Sequence, residues 1–233
     1  TGPAAGPSWK RLGDATWFLN YRNLPMQTDQ TAIDVIIPTM QSREELTSLV
    51  EEIERTAGVP VNVIVTGQPV CAAKNRNIGL DLSKSSVIIQ IDDDIYEFPN
   101  GWAVRLSQVL VETPNAVMVS ARLMTPNGQL GCMMGGAPVT MGVSIAAKRK
   151  LPTACVAFWK NDIRFDTDLI GSGFDDDCYA AELRFRNPNA MFLVANDCRV
   201  THRNERKNQM GKFWDHNKAV YEHKWGKAMT CLC

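Results

Sequence analysis

The sequence predicts an α/β protein with a mostly parallel sheet flanked by helices. Three observations carry that expectation. Short β-branched runs recur at Ile33–Ile37, Val61–Val65, Val87–Ile91 and Ala116–Ser120. Segments of helical period alternate with them, the pattern of βα units. The run Val87–Ile91 also ends abruptly in Asp92-Asp93-Asp94. A uniformly apolar run reads as a parallel strand buried on both faces. Its carboxyl end is where open α/β sheets bind ligands.

Each element has its own warrant. Residues 1–30 are rich in Gly, Pro and aromatics without a period, and read as an irregular arm packing Trp9, Trp17 and Phe18 on the main domain. Pro38 stops the first strand. Ser42 and Glu45 have capping-box spacing for the next helix, and Leu46, Leu49, Val50 and Ile53 give it one apolar face. Gly58 and Pro60 end it. After the second strand, a helix is expected over 72–82. A further helix is expected over 102–111. Beyond Arg122 the pattern loosens. Pro126-Asn127-Gly128 is a turn, and residues 131–142, rich in Gly and Met, read as either a closing lid or a passive turn. A strand is expected over 141–146. Gly171-Ser172-Gly173 leads into a second acid triplet, Asp175-Asp176-Asp177, and a helix to Arg186. Residues 191–194 form a late strand, and 206–225 a helical tail. One continuous domain thus divides into 1–30, 31–125, 126–205 and 206–233.

Composition limits the partners. The 233 residues are 45% hydrophobic, enough for a substantial core, and carry zero formal net charge. No global field therefore favours nucleic acid or membrane. The end is locally basic, with Arg199, Arg203, Arg206, Lys207, Lys212, Lys218, Lys224 and Lys227 against Glu205, Asp215 and Glu222. Together with Lys148-Arg149-Lys150 this keeps a phosphate-bearing partner open. Seven scattered cysteines read as reduced thiols in a cytoplasmic protein. None has zinc-site spacing. No run reaches the ~20 apolar residues of a membrane span, and none reads as a signal peptide.

Five blocks between Ile33 and Asn208 stand in one order. Asp34-Val-Ile-Ile-Pro38 resembles a nucleotide-binding first strand. Lys74-Asn-Arg76-Asn-Ile-Gly79 resembles an ARNxG block, and Asp92-Asp-Asp94 a DxD motif. Gly171-Ser-Gly-Phe-Asp175-Asp-Asp177 is similar to GWGGEDDD. Arg199-Val-Thr-His202-Arg-Asn-Glu205 resembles a late strand whose histidine completes a metal site. Together they resemble the glycosyltransferases of GT-A fold, family 2 in type, with features also similar to β-1,4-galactosyltransferases.

The resemblance implies a GT-A fold: a Rossmann-like, mostly parallel sheet with an acceptor-side subregion. It makes 31–125 the nucleotide-sugar half, 126–205 the acceptor and catalytic half, and 206–233 a helical tail. It implies Mn²⁺ or Mg²⁺ held by Asp94 and His202, with Asp92 on the metal or the ribose. Donor contacts would come from Pro38, Lys74, Arg76, Asp92, Asp93, Arg122, Gly135 and Gly136. Asp175 is the base when aligned on GGEDDD, and Asp176 when aligned on the commoner xED pattern. Phe174 and Asp177 fall on the acceptor side, with Phe174 standing where the family has Glu.

The chemistry fits without the family. A nucleoside diphosphate leaving group carries concentrated negative charge, which a cation bound to both diphosphate and protein stabilises. Mixed carboxylate and imidazole ligation suits Mn²⁺ better than Ca²⁺. An inverting transfer needs a base for the acceptor hydroxyl. The expected activity is metal-dependent, inverting transfer from a UDP-linked sugar nucleotide. The acceptor stays open among a glycan, a small molecule, a protein and a hydroxylated DNA base, with zero net charge counting against DNA. A sugar nucleotidyltransferase and a non-catalytic sugar-binding module are the rival readings.

Overall fold

The computed structural model describes residues 8–11, 16–20, 32–39, 41, 43–131, 145–148, 150–203 and 207–226. In chain order the elements are β1 (Ser8–Arg11), β2 (Thr16–Asn20), β3 (Ile33–Pro38), α1 (Arg43–Thr56), β4 (Val61–Thr66), α2 (Ala72–Leu82), β5 (Val87–Ile91) and β6 (Ile95–Tyr96). There follow α3 (Trp102–Glu112), β7 (Ala116–Met124), β8 (Ile145–Lys148), β9 (Cys155–Trp159), α4 (Asp175–Arg186), β10 (Met191–His202) and α5 (Lys207–Trp225).

One sheet runs in the order β1-β2-β4-β3-β5-β9-β7-β10-β6, with β8 also paired to β10. Strand β3 pairs parallel with β4 and β5, and β7 pairs parallel with β10. Strand β9 runs antiparallel to both β5 and β7, so β4, β3, β5, β7 and β10 share one direction around it. Their carboxyl ends therefore open on one side, which sets the place for a site. The core sits where the sequence pattern put it: Leu46, Leu49, Val50 and Ile53 of α1 are buried, and every residue of β5 is buried. Trp102 at the start of α3 is fully buried against Phe98, with ring centroids 5.1 Å apart. Burial of each such side chain is worth about 1.5–3 kcal/mol.

Two residues of the first blocks explain local packing. Gly79 lets α2 lie on β3, since a Cβ there would stand 2.3 Å from Ile36 Cγ2. Asp34, at the opposite end of β3 from the site, accepts from the Ser85 amide at 2.7 Å and from Asn62 Nδ2 at 3.0 Å. It ties down the turn into β5 and is structural.

Three sequence expectations need correction. The arm is not irregular throughout: β1 and β2 form an antiparallel pair, and β2 extends the sheet antiparallel to β4. Their alternation is too short to stand out among Gly and Pro. The late strand is not confined to 191–194 but continues to His202, through a register shift between Ala195 and Arg199 where it passes β7. That irregularity breaks the period-2 pattern that would have joined the two halves. Strand β9 was not anticipated; it is apolar enough, but pairing direction is not written in a strand's own composition. The Ser42 cap and the expected strand residues 141–144 lie outside the described residues.

Candidate active site

Asp92, Asp93 and Asp94 follow β5 at the carboxyl ends of the sheet, and the three side chains diverge. Asp93 turns towards β3, accepting from Thr39 Oγ1 at 2.6 Å, while its carbonyl accepts from Gln41 Nε2 at 3.2 Å. Asp94 turns towards β10, with its Oδ1 3.1 Å from His202 Nε2. Its carbonyl accepts from the Arg203 amide at 3.1 Å, which fixes the loop against the strand's end. Asp92 accepts from Arg76 Nη2 at 3.1 Å.

The Lys74–Gly79 block earns its residues one by one. Asn75 exchanges two hydrogen bonds with the backbone of Gln68, both 3.1 Å. Asn77 does the same with Phe165, at 2.8 and 2.9 Å. These clamps fix both ends of the loops around α2. Between them, Arg76 is buried, with its guanidinium 5.3 Å from the centroid of the Phe165 ring. It donates to Asp92 through Nη2 and to Asp175 through Nη1. One buried cation thus bridges the two acid triplets. Lys74, two residues earlier on the helix and so about 200° around it, is exposed.

The second triplet occupies the first turn of α4. Carboxylates there face the positive end of the helix dipole. Asp175, besides Arg76, accepts from the Gly173 amide at 3.2 Å. Asp176 accepts from the Thr153 amide at 3.2 Å and from the Thr153 hydroxyl. Asp177 pairs with Lys150. The loop before α4 is held from α5: Asn217, fully buried, donates from Nδ2 to the carbonyls of Ile170 and Gly173 at 2.9 and 3.0 Å, and accepts from the Ile170 amide at 2.9 Å. Phe174 has φ +66° at the helix N-cap, a left-handed conformation. Its ring packs on Trp214 and Tyr221, at 4.7 and 5.6 Å between centroids.

Electrostatics separate the acids. Burial pushes the Asp92 carboxyl up to about 6; Arg76 opposes this and the Asp94 charge adds to it. Burial raises Asp176 as well, against the opposing Arg76 charge and the Thr153 hydroxyl. For His202, burial pulls the imidazole down, but the bond to Asp94 and the charges of Asp94, Asp92 and Asp176 outweigh it, and the net shift is upward. The charge of Asp176 adds to the upward shifts of both Asp92 and His202.

Asp92, Asp94 and His202 each offer one donor atom, all within 4.8 Å of one another. Two carboxylate oxygens and one imidazole nitrogen fit a divalent cation such as Mn²⁺. A bound cation would offset the negative charge that Asp92 and Asp94 hold close together beside His202.

The expected donor residues divide. Arg76, Asp92 and Asp93 lie in the cluster, and Pro38 ends β3 beside Thr39. Arg122 is buried in β7, donating from Nη1 to Asn196 at 3.0 Å, rather than presented as an open cation. Burial and its neighbour Arg199 lower its basicity. Gly135 and Gly136 lie outside the described residues. Sequence reasoning missed Thr39, Thr153 and Asn217. Their signal is weak, because single hydroxyl and amide side chains occur throughout any chain.

No family model and no curated relative matches the chain. Its structure is similar to that of GalNAc-T7 solved with UDP, GalNAc and Mn²⁺, at TM-score 0.53 and 11% identity, covering 84% of this chain and 50% of that one. It is also similar to glucosyl-3-phosphoglycerate synthase from Mycobacterium tuberculosis with Mn²⁺, UDP and phosphoglyceric acid, at TM-score 0.55 and 12% identity, covering 84% and 78%. TarS residues 1–349 from S. aureus align at TM-score 0.50 and 15% identity, covering 74% and 60%. The chain thus spans about half the length of the first of these and three-fifths of the last. At such identities the likeness establishes the fold, which is the GT-A fold. Among the described residues, no helix is long and apolar enough to cross a membrane.

Proposed function

We propose that the protein is a divalent-cation-dependent glycosyltransferase that moves a sugar from a UDP-linked sugar nucleotide to a hydroxyl acceptor with inversion. The observation that carries this reading is the pairing of two unlike acid clusters. One joins Asp92 and Asp94 to His202. The other is tied to it by Arg76, which bonds both Asp92 and Asp175, and holds Asp176 to Thr153 through one oxygen, leaving the second for a substrate. The solved structures that contain UDP with Mn²⁺ support a UDP donor and this cation.

Asp94, His202 and Asp92 would hold the metal. When bound, Mn²⁺ or Mg²⁺ supplies charge compensation for the departing diphosphate. Asp176 is the base: its carboxylate takes the acceptor hydroxyl proton as that oxygen bonds to the anomeric carbon. The bond from that carbon to the diphosphate breaks on the opposite face, and UDP leaves with its electrons. Asp175 suits this role less well, since Arg76 and the Gly173 amide already occupy its oxygens. Arg76 holds Asp92 and Asp175 in register. Asp93, bonded to Thr39, steadies the loop. The DNA-acceptor reading loses ground because Lys150 of the basic run is paired with Asp177. A nucleotidyltransferase would release pyrophosphate instead of UDP. A sugar-binding module has no use for a base beside a metal group.

The test is a panel of UDP-, GDP- and CMP-sugars with Mn²⁺, followed by nucleotide release. Release of UDP that stops with EDTA and returns with Mn²⁺ is expected. Release of pyrophosphate, or full activity in EDTA, overturns the assignment.

A further inference from the structure

The aromatic pair at the foot of α4 is not used by the transfer chemistry itself. Trp214 leaves 44% of its surface in water, and its ring is tilted 53° against Phe174. Phe174 immediately precedes the second acid triplet and holds φ +66°. Such a conformation is strained for a non-glycine residue. Glycine would make the turn without strain, so what this position gains is a ring. Tyr221 backs that ring from one side and Trp214 extends it into solvent.

The place of Trp214 follows from its helix. Helix α5 opens at Lys207, shortly after His202 ends β10. One turn beyond Trp214, Asn217 clamps the carbonyls of Ile170 and Gly173. Trp214, packed on Phe174, therefore lies beside the turn that leads into Asp175 and Asp176.

The surrounding charge selects what such a surface takes. Of the lysines on α5 whose side chains are described, Lys218 pairs with Glu222 at 2.8 Å and Lys224 with Asp166 at 3.4 Å. Lys212 lies 5.2 Å over the Phe213 ring. These cations are engaged within the protein, so a polyanionic backbone gains little from them. A pyranose suits the surface better: its C–H face packs on an indole, and its hydroxyls stay outside for polar contacts.

We propose that Trp214, backed by Phe174, is an acceptor shelf that stacks on a pyranose ring and presents one of its hydroxyls to Asp176. The acceptor is then a glycan or glycoside. This rests on the glycosyltransferase reading above. The test measures UDP release from UDP-glucose, UDP-galactose and UDP-N-acetylglucosamine with Mn²⁺, against a series of p-nitrophenyl hexopyranosides and, separately, hydroxymethylcytosine duplex DNA. A hexopyranoside should accelerate release saturably. Trp214→Ala should raise its KM about tenfold or more with little change in kcat, and Trp214→Phe should restore most of it. UDP affinity with Mn²⁺, by calorimetry, should match wild type in both variants. An unchanged KM in Trp214→Ala overturns the shelf. So does a fall of kcat and UDP affinity together, which marks a structural role, or acceleration by the duplex alone. If wild type binds UDP but no hexopyranoside accelerates release, the shelf fails and the enzyme reading stands. If wild type binds no UDP with Mn²⁺, both fall.

Discussion

The chain contains the same three residues twice, Asp92–Asp94 and Asp175–Asp177, and folding makes different things of them. The first triplet follows a strand, where the loop lets each carboxylate turn to its own neighbour: α2 through Arg76, β3 through Thr39, and β10 through His202. Two of them converge with the histidine into a cation-sized cluster. The second triplet begins a helix, where about 100° per residue fans the side chains apart. They meet Arg76, Thr153 and Lys150 separately. A loop can gather acids around one ion, while a helix turn sends successive acids to different partners. Arg76 joins the two sets.

Several measurements break or sharpen that contrast. The largest effect belongs to the first triplet. Asp94→Ala should abolish UDP binding with Mn²⁺ in calorimetry, because donor and cation bind as one unit; unchanged affinity would make the cluster structural.

Next comes the division of labour within the second. Asp176→Asn should lower turnover about 10²–10⁴-fold with UDP affinity kept. Asp175→Asn should act mainly on melting temperature, through the weakened bond to Arg76. The reverse pattern would restore Asp175 as the base.

Removing the shared cation tests the link. Arg76→Ala leaves two acids without their buried partner and should cost about 3–5 kcal/mol in denaturant unfolding. A loss below about 1 kcal/mol would show that the bridge is dispensable.

The smallest effect is in pH. Asp92 is raised to about 6, so its neutral form is favoured in the fold: the stability it contributes is present at low pH and lost as pH rises through about 6. His202 is also raised, so its charged form adds stability below its unfolded value, again lost as pH rises through the folded one. The metal-free protein should therefore lose stability from Asp92 between pH about 4 and 6, and from His202 above about pH 6.5. Cation binding runs the other way, since its ligands must lose protons, gaining up to about tenfold per pH unit for each proton released. Thermal shift with and without Mn²⁺ across this range should show a widening gap; a constant gap would remove His202 and Asp92 from the ligand set.

Much of this was legible in the residues. Helix α2 and strand β5 have the limits that their periodicity and flanking residues predict. The block Lys74–Gly79 announced a site helix, though only the fold shows that Asn75 and Asn77 are clamps, Gly79 a packing contact and Arg76 the side chain that joins the two acid triplets. Lys74 was legible as basic but not as pointing away from Arg76, because the orientation of a helix depends on what it packs against. Arg122 read as a donor contact; its burial beside Asn196 is a property of two paired strands.

The sequence by itself determined the α/β alternation, the two acid triplets and the histidine after a late strand. These are local: hydrophobic period and residue chemistry are carried by neighbours along the chain. The tertiary structure alone decided that β9 runs against its neighbours and that Arg76 reaches both triplets across sequence separations of 16 and 99 residues. It also decided that Asp175 spends both oxygens on Arg76 and the Gly173 amide, while the bonds from Thr153 fall on one oxygen of Asp176. Those outcomes depend on which surfaces exclude water from which groups. Desolvation and pairing act through space, so no reading of near neighbours along the chain could have fixed them.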